Sequence, residues 1–365
     1  VNGRPTEGER RVILVTGLGR LWAGVTSVAS GLARENVSTI FYYREIKKQY
    51  TQGVEEGMQV VPCPRNPLVG AWELWRLLIQ HKPDHVEMYH NLGWVVTFLH
   101  LLVLWLSRIP VIVVCVGGEI RYWETHSLIK KASVRMSFRV ANAVIIKEKG
   151  MVDSVIRHRI GDPDKLIFSP NRIQIKPLET KKKEGRIILY LNSFTWWRNV
   201  DLILRAAPLV LEAFPDARFL LVGLTGRPEE IRIHQLVQSL NLKESVSLLP
   251  FTNRQKMYYG QASLFLLPSD VVFCNNALLE AMERGVPPIV ARVPEADLVV
   301  EHRRSGLLVD KTPDALAEAI INLLQDDDLR LELGKGARER VRQHFPERSR
   351  TELLMDLYRT RIWAT

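Results

Sequence analysis

Apolar and polar positions along the 365-residue chain follow two alternating periods. Short apolar, β-branched runs at 12–16, 37–42, 59–61, 85–88, 111–116, 143–146 and 166–168 predict strands. Between them, 71–80, 128–140 and 151–158 place their apolar residues on one helical face, and a further helix is expected up to Glu35. Continuously apolar strands alternating with amphipathic helices predict a mostly parallel sheet covered on both faces. Residues 170–185, PNRIQIKPLETKKKEG, break the pattern with charge and two prolines and read as a linker.

The alternation then restarts. Strands are predicted at 187–191, 219–222, 246–249, 264–267 and 286–290, and helices at 200–214, 229–240 and 254–259. Another helix opens at Asn275 and Asn276, carries Leu278, Leu279 and Met282 on one face, and ends at Gly285. Helices at 314–324, 329–343 and 348–362 follow, the last amphipathic and long enough to pack back across the join. The expectation is an α/β chain of two doubly wound, Rossmann-like parallel-sheet domains: 1–172 with 346–365, and 186–345, joined by the linker 173–185. A cleft between their carboxyl edges is the default ligand site.

Composition changes little in this picture: 46% hydrophobic and 25% charged residues describe a globular chain without repeats. Cys63, Cys115 and Cys274 lie far apart in apolar surroundings, which suits a reducing compartment better than a disulfide framework or a zinc site. The polar start, VNGRPTEGERR, leads straight into a strand without a signal-peptide pattern, so a cytoplasmic setting is expected. Charge is uneven. Of the net +10, residues 1–170 carry a surplus of seven (22 Lys and Arg against 15 Asp and Glu), concentrated between Lys130 and Arg159. Such a face is either solvated or meets anionic lipid at the inner side of a membrane. Nucleic acid is excluded as a partner because no binding motif or aromatic–basic interleaving accompanies the charge. The most apolar segment, 94–106 (WVVTFLHLLVLWL), is too short to span a bilayer. It is either a core helix, with His100 packed inside, or a helix lying with one face in a membrane.

Candidate chemistry sits where strands end. Gly17-Leu18-Gly19 with Trp22-Ala23-Gly24 resembles a phosphate-cradling glycine loop but lacks the third glycine of the dinucleotide fingerprint. Gly117 and Gly118 after the strand at 111–116 permit close backbone approach, with Glu119 at the mouth of the sheet. After the strand at 187–191, Asn192 to Asn199 contains Arg198 just before a helix, where an anion would sit; the alternative is a solvated loop arginine. The free N–H groups of the helix at Asn276 also attract phosphate. Glu280, one turn in, is either a ribose-binding carboxylate or a surface residue.

Taken together these segments resemble the retaining, nucleotide-sugar-dependent glycosyltransferases of the GT-B fold. Arg198-Asn199-Val200-Asp201-Leu202-Ile203 stands for that family's lysine–glycine segment, and Phe219–Gly223 for its second glycine-ended strand. Leu278-Leu279-Glu280-Ala281-Met282 with Gly285-Val286-Pro287, then Ser305-Gly306-Leu307-Leu308-Val309, resemble its signature. Gly334-Lys335-Gly336-Ala337-Arg338 and His344-Phe345 match its C-terminal helices, Ala23-Gly24-Val25 its glycine loop, and Pro170-Asn171 its hinge. The likeness covers nearly the whole chain and is strongest from 187 to 345; its weight lies in many pieces in one order.

The resemblance implies that Glu280 holds the donor ribose and that Arg198 neutralises the diphosphate. It implies donor contacts at Asn192, Gly223, Phe251, Thr252, Asn275, Asn276, Ala277 and Leu279. Gly19, Gly24, Gly117 and Gly118 would abut phosphates or acceptor, and Glu119 would join Arg198 in catalysis. It also implies no metal or other cofactor, a glycan or lipid-linked acceptor, and transfer with retention. Two positions depart from the family: Val272 stands where it has a Glu eight residues before the ribose carboxylate, and Gly117 where it has a His. Asp270, Asn275, Asn276 and Glu119 are the polar groups nearest to those positions. The departures leave open a non-catalytic nucleotide-sugar-binding homologue. An epimerase or isomerase is a further reading, with Glu124 and His126 as its acid–base candidates.

Overall fold

The computed structural model describes residues 11–20, 32–33, 35–45, 58–89, 94–115, 118–121, 123–177, 185–224, 226, 228–250, 256–272, 275–346 and 348–363. The chain divides into two compact units, Val1–Pro170 with Arg348–Thr365, and Asn171–Glu347.

In the first unit the described strands form one parallel sheet in the order β3-β2-β1-β4-β5-β6-β7. They are β1 Arg11–Arg20, β2 Val37–Glu45, β3 Met58–Pro62, β4 His85–Tyr89, β5 Val111–Cys115, β6 Ala143–Ile146 and β7 Leu166–Phe168. Every residue of β4, β5 and β6 is buried, as a sheet sandwiched between helices requires. Period-two alternation divides the sheet into two cores. Leu14, Tyr42, Met88 and Val113 face the layer of α1 (Pro67–His81), α2 (Trp94–Ser107), α3 (Leu128–Val140) and α4 (Gly150–Arg157). Ile13, Val15, Phe41 and Val114 face Leu354, Tyr358 and Ile362 near the C-terminus. His100 of α2 is buried 5.9 Å from the Tyr42 ring, so this helix does supply core on one face.

The second unit repeats the plan with the order β10-β9-β8-β11-β12-β13. Its strands are β8 Ile187–Leu191, β9 Arg218–Leu224, β10 Val246–Pro250, β11 Leu264–Leu267, β12 Pro288–Ala291 and β13 Leu307–Val309. Its longer helices are α5 Val200–Ala213, α6 Glu229–Ser239, α7 Lys256–Gln261, α8 Asn276–Glu283, α9 Pro313–Gln325 and α10 Asp327–His344. Side-chain caps start several of them: Thr312 accepts from the Ala315 amide at 3.2 Å, and Asp326 from Leu329 at 2.8 Å. The backbone of α10 lies so close to the end of α8 that a Cβ at Gly334 would overlap the Gly285 carbonyl oxygen. That approach fixes the C-terminal end of α8 in the fold.

The chain returns to the first unit in α11, Arg348–Leu357, continued by a π turn at Tyr358–Ile362. The Tyr358 hydroxyl donates to the buried carboxylate of Glu87 on β4, and Trp363 Nε1 donates to His85 Nδ1 at 3.2 Å. Polar bonds inside an apolar layer fix the register of the segment as well as its attachment.

Three expectations from sequence change. Gly17 to Gly19 belong to the end of β1, where the register against β2 shifts between Gly17 and Arg20, rather than to a loop. Gly118 and Glu119 open a short helix, Gly118–Arg121, rather than a loop at the sheet mouth. Ile173 and Lys176, read as linker, are bound into the second unit: Ile173 bridges to Pro346, and the Lys176 amide donates to buried Glu283 at 3.0 Å.

Candidate functional site

The order of strands in the second unit reverses between β8 and β11. At such a switch point the loops leaving the two strands run to opposite faces and leave a crevice at their carboxyl ends. Here the two loops are laced together by side chains. Arg198 Nη1, in the 3-10 turn Trp196–Arg198 after β8, donates to Ser269 Oγ at 3.0 Å and to the Val271 carbonyl at 3.1 Å after β11. Asn199 adopts the left-handed conformation (φ 51°) that asparagine tolerates, and its Nδ2 donates to the Pro268 carbonyl (2.9 Å) and to Asp270 Oδ1 (2.8 Å). The Asp270 amide in turn donates to the Trp197 carbonyl at 2.9 Å. The guanidinium is thereby held half-buried at the switch point, and its charge opposes the upward pKa shift that burial imposes on Tyr190.

Beyond the second loop α8 begins. Asn275, nearly buried, caps it by accepting from the Leu278 amide at 3.0 Å. Asn276 is exposed on the first turn, while Leu279 is fully buried and its amide donates to the Asn275 carbonyl at 3.1 Å. Leu279 therefore presents packing, not a side-chain contact, to any ligand. Ala277 is half-buried, and its carbonyl accepts from the Tyr259 hydroxyl at 3.3 Å.

Glu280 is half-exposed, and its Oε2 accepts from the same Tyr259 hydroxyl at 2.9 Å. Burial, then the charge of Glu280 and the hydrogen bond to it, raise the Tyr259 pKa well above 10.0. The phenol therefore keeps its proton at neutral pH and acts as a fixed donor to the carboxylate. On the other side of β8, Gly223 has φ 152°, and a Cβ there would overlap the Asn192 carbonyl oxygen. Asn192 itself is half-buried, and its Oδ1 accepts from the Ser193 amide at 2.9 Å.

Sequence reasoning thus named Asn192, Arg198, Gly223, Asn275, Asn276, Ala277 and Glu280, all at the carboxyl edge of this one sheet or on the helix that follows it. It missed Tyr259, Ser269 and Asn199. Asn199 and Ser269 were detectable as short polar residues in the two loops flanking the reversal; nothing in the pattern around Tyr259 marks it. Val272 is fully buried. Asp270 is bonded by Asn199 and by Lys311 Nζ at 2.7 Å, which ties the loop after β11 to its neighbours. Phe251, Thr252, Gly24 and Gly117 lie outside the described residues, as does the side chain of Glu119. Gly19 and Gly118 belong to the first unit, at the end of β1 and just after β5. Glu124 is largely solvated there, 3.8 Å from His158 Nε2, and is a poor candidate for an acid–base role. Among the described residues no cluster of His, Cys, Asp and Glu has metal-binding geometry.

Residues 171–340 match the family described as Glycosyl transferases group 1. N-acetyl-alpha-D-glucosaminyl L-malate synthase of Bacillus anthracis is 30% identical over 199 residues, 54% of this chain and 50% of that protein. The aligned region spans about half the length of the first curated relatives, at 50%, 48% and 43% of their chains. Among solved structures, sucrose-phosphate synthase from Thermosynechococcus elongatus has TM-score 0.81 at 19% identity, covering 98% of this chain and 100% of that one. Anabaena Alr3699/HepE in complex with UDP-glucose has TM-score 0.81 at 16% identity, covering 96% and 99%. At these identities the structures establish the fold.

Proposed function

We propose that this chain, whose residues 171–340 match the glycosyl transferases group 1 and whose fold is GT-B, transfers a sugar from a nucleoside diphosphate to an acceptor. The observation that carries the reading is the laced switch point of the second unit. Arg198 is held there by Ser269 and Val271, and the chain runs on into the N-terminus of α8. A diphosphate seated at that edge would meet a fixed guanidinium and the positive end of the α8 dipole, which together stabilise the charge that grows as the sugar leaves. Glu280, oriented by Tyr259, is the acceptor of the ribose hydroxyls.

In this reading the leaving phosphate takes the acceptor proton on the face it departs from. The outcome is retention without a protein nucleophile, and Arg198 with the helix start does the work that a metal does elsewhere. The acceptor class we favour is a glycan or a lipid-linked saccharide at the inner face of a membrane. Several glycosyltransferases are among the relatives, and Alr3699/HepE is solved with UDP-glucose, which supports a nucleotide-sugar donor.

Incubation with a panel of nucleotide sugars, with and without EDTA, tests the assignment. Transfer or slow donor hydrolysis that survives EDTA is the expected result. Conversion to another nucleotide sugar would instead indicate an isomerase, and binding without turnover a non-catalytic homologue.

Tyr259→Phe is expected to weaken nucleoside diphosphate binding by about 3–10-fold, the scale of one net hydrogen bond. Calorimetric titration beside a melting curve separates this from general unfolding. Unchanged affinity would remove Tyr259 from the site.

A further inference from the structure

We propose that the outward face of the first unit's α1–α3 layer docks on an anionic lipid bilayer. These three helices cover the same side of the sheet, with α1 packed on α2 and α2 on α3, so their outward faces lie side by side. On α1, Leu68, Trp72 and Ile79 form a stripe at i, i+4 and i+11, with Leu68 70% and Trp72 66% exposed. On α2, Leu102, Trp105 and Leu106 form the matching stripe, with Trp105 63% exposed, although the opposite side of the same helix supplies core. The first turn of α3 adds Leu128. Isolated exposed apolar residues are ordinary; aligned stripes on adjacent helices, each with an outward tryptophan, mark an interaction surface.

Charge selects the occupant. Exposed Arg65 precedes α1, Lys82 follows it, Arg108 follows α2, and α3 carries Lys130, Lys131, Arg135 and Arg139. Across the three helices the one acidic residue is Glu73, paired with Arg76 at 2.6 Å; in their flanks Asp84 is paired with Arg11 at 2.7 Å, and Glu124 precedes α3, so the border remains basic on balance. A second copy of this face would bring like charges together, whereas anionic headgroups complement the basic border and tryptophans favour the headgroup depth.

The fold also divides the basic cluster that stands out in the sequence. Lys147 is buried, and Arg157 and Arg159 lie on or just beyond α4, so the docking charge is that of α3 and the helix ends. No described helix is long and apolar enough to cross a membrane, so the contact proposed is interfacial.

The surface is independent of the donor site, and its test needs no nucleotide. Purified chain is floated with phosphatidylcholine vesicles containing phosphatidylglycerol, with phosphatidylcholine alone, and with brominated phosphatidylcholine mixed with phosphatidylglycerol. The intact chain is expected to float with the anionic vesicles, less so at high salt, and to lose tryptophan emission to the brominated lipid. Trp72→Ser combined with Trp105→Ser is expected to lower partitioning on the order of tenfold or more. Melting and nucleoside diphosphate binding should remain those of the parent. Arg65→Glu with Arg108→Glu supplies a second variant that leaves the apolar stripes in place and should remove the preference for anionic lipid. A chain that stays in the soluble fraction overturns the proposal. So does a double tryptophan variant that floats as well as the parent, or a lipid-free dimer that this variant dissolves.

Discussion

Arg198→Ala is expected to lower the turnover of a nucleotide sugar by about 10²–10³-fold, the loss seen when one preorganised donor to a developing negative charge is removed. The side chain is fixed before any ligand arrives by Ser269 Oγ and the Val271 carbonyl, so it needs no reorganisation when the diphosphate separates. Because the charge it meets grows along the reaction, kcat should fall more than KM rises. Arg198→Lys should recover part of the rate: it keeps a charge at the site but loses the planar guanidinium whose Nη1 meets both loop partners. If the arginine only laces the loops, the variant would melt earlier and turn over at the parental rate, and its catalytic assignment would be withdrawn.

Gly223→Ala is expected to destabilise the second unit by about 3 kcal/mol or more, at the upper end of single-residue effects. Two costs act together. A φ of 152° is strained for any residue with a Cβ, and the added carbon would lie 1.7 Å from the Asn192 carbonyl oxygen, a backbone atom without a rotamer to yield. The carboxyl ends of β8 and β9 would have to separate, and the Asn192-to-Arg198 loop would move with them. Urea unfolding followed by hydrogen exchange in β8 and β9 reads the effect. Parental stability would show that the crossing of Asn192 and Gly223 is not as close as described.

The architecture was legible because its strands are unusually uniform. Runs such as VIVVC and LFLL are buried at every position, which separates parallel-sheet strands from amphipathic helices by period alone. The start of α8 was legible too, since a helix start after a parallel strand is visible in the pattern around Asn275. What stayed hidden depends on distance in space. Tyr259 meets Glu280 across 21 residues, and Arg198 meets Ser269 across 71, and no local periodicity encodes either contact. The glycines at 17–19 misled for the opposite reason. Their composition suggested a loop, yet pairing with β2 carries the strand through them to Arg20. Of the two readings of 94–106, the core helix is the one seen: His100 lies in the core, while Trp105 faces outward.

Calorimetric titration of the parent and of Glu280→Gln with UDP, GDP and ADP tests the central claim most directly. The account predicts that one of these nucleotides binds the parent. The substitution, which removes the charge accepting the ribose hydroxyls while keeping the side-chain volume, should weaken that nucleotide by about 10–100-fold. Binding of none of them, or equal binding by parent and variant, would contradict it.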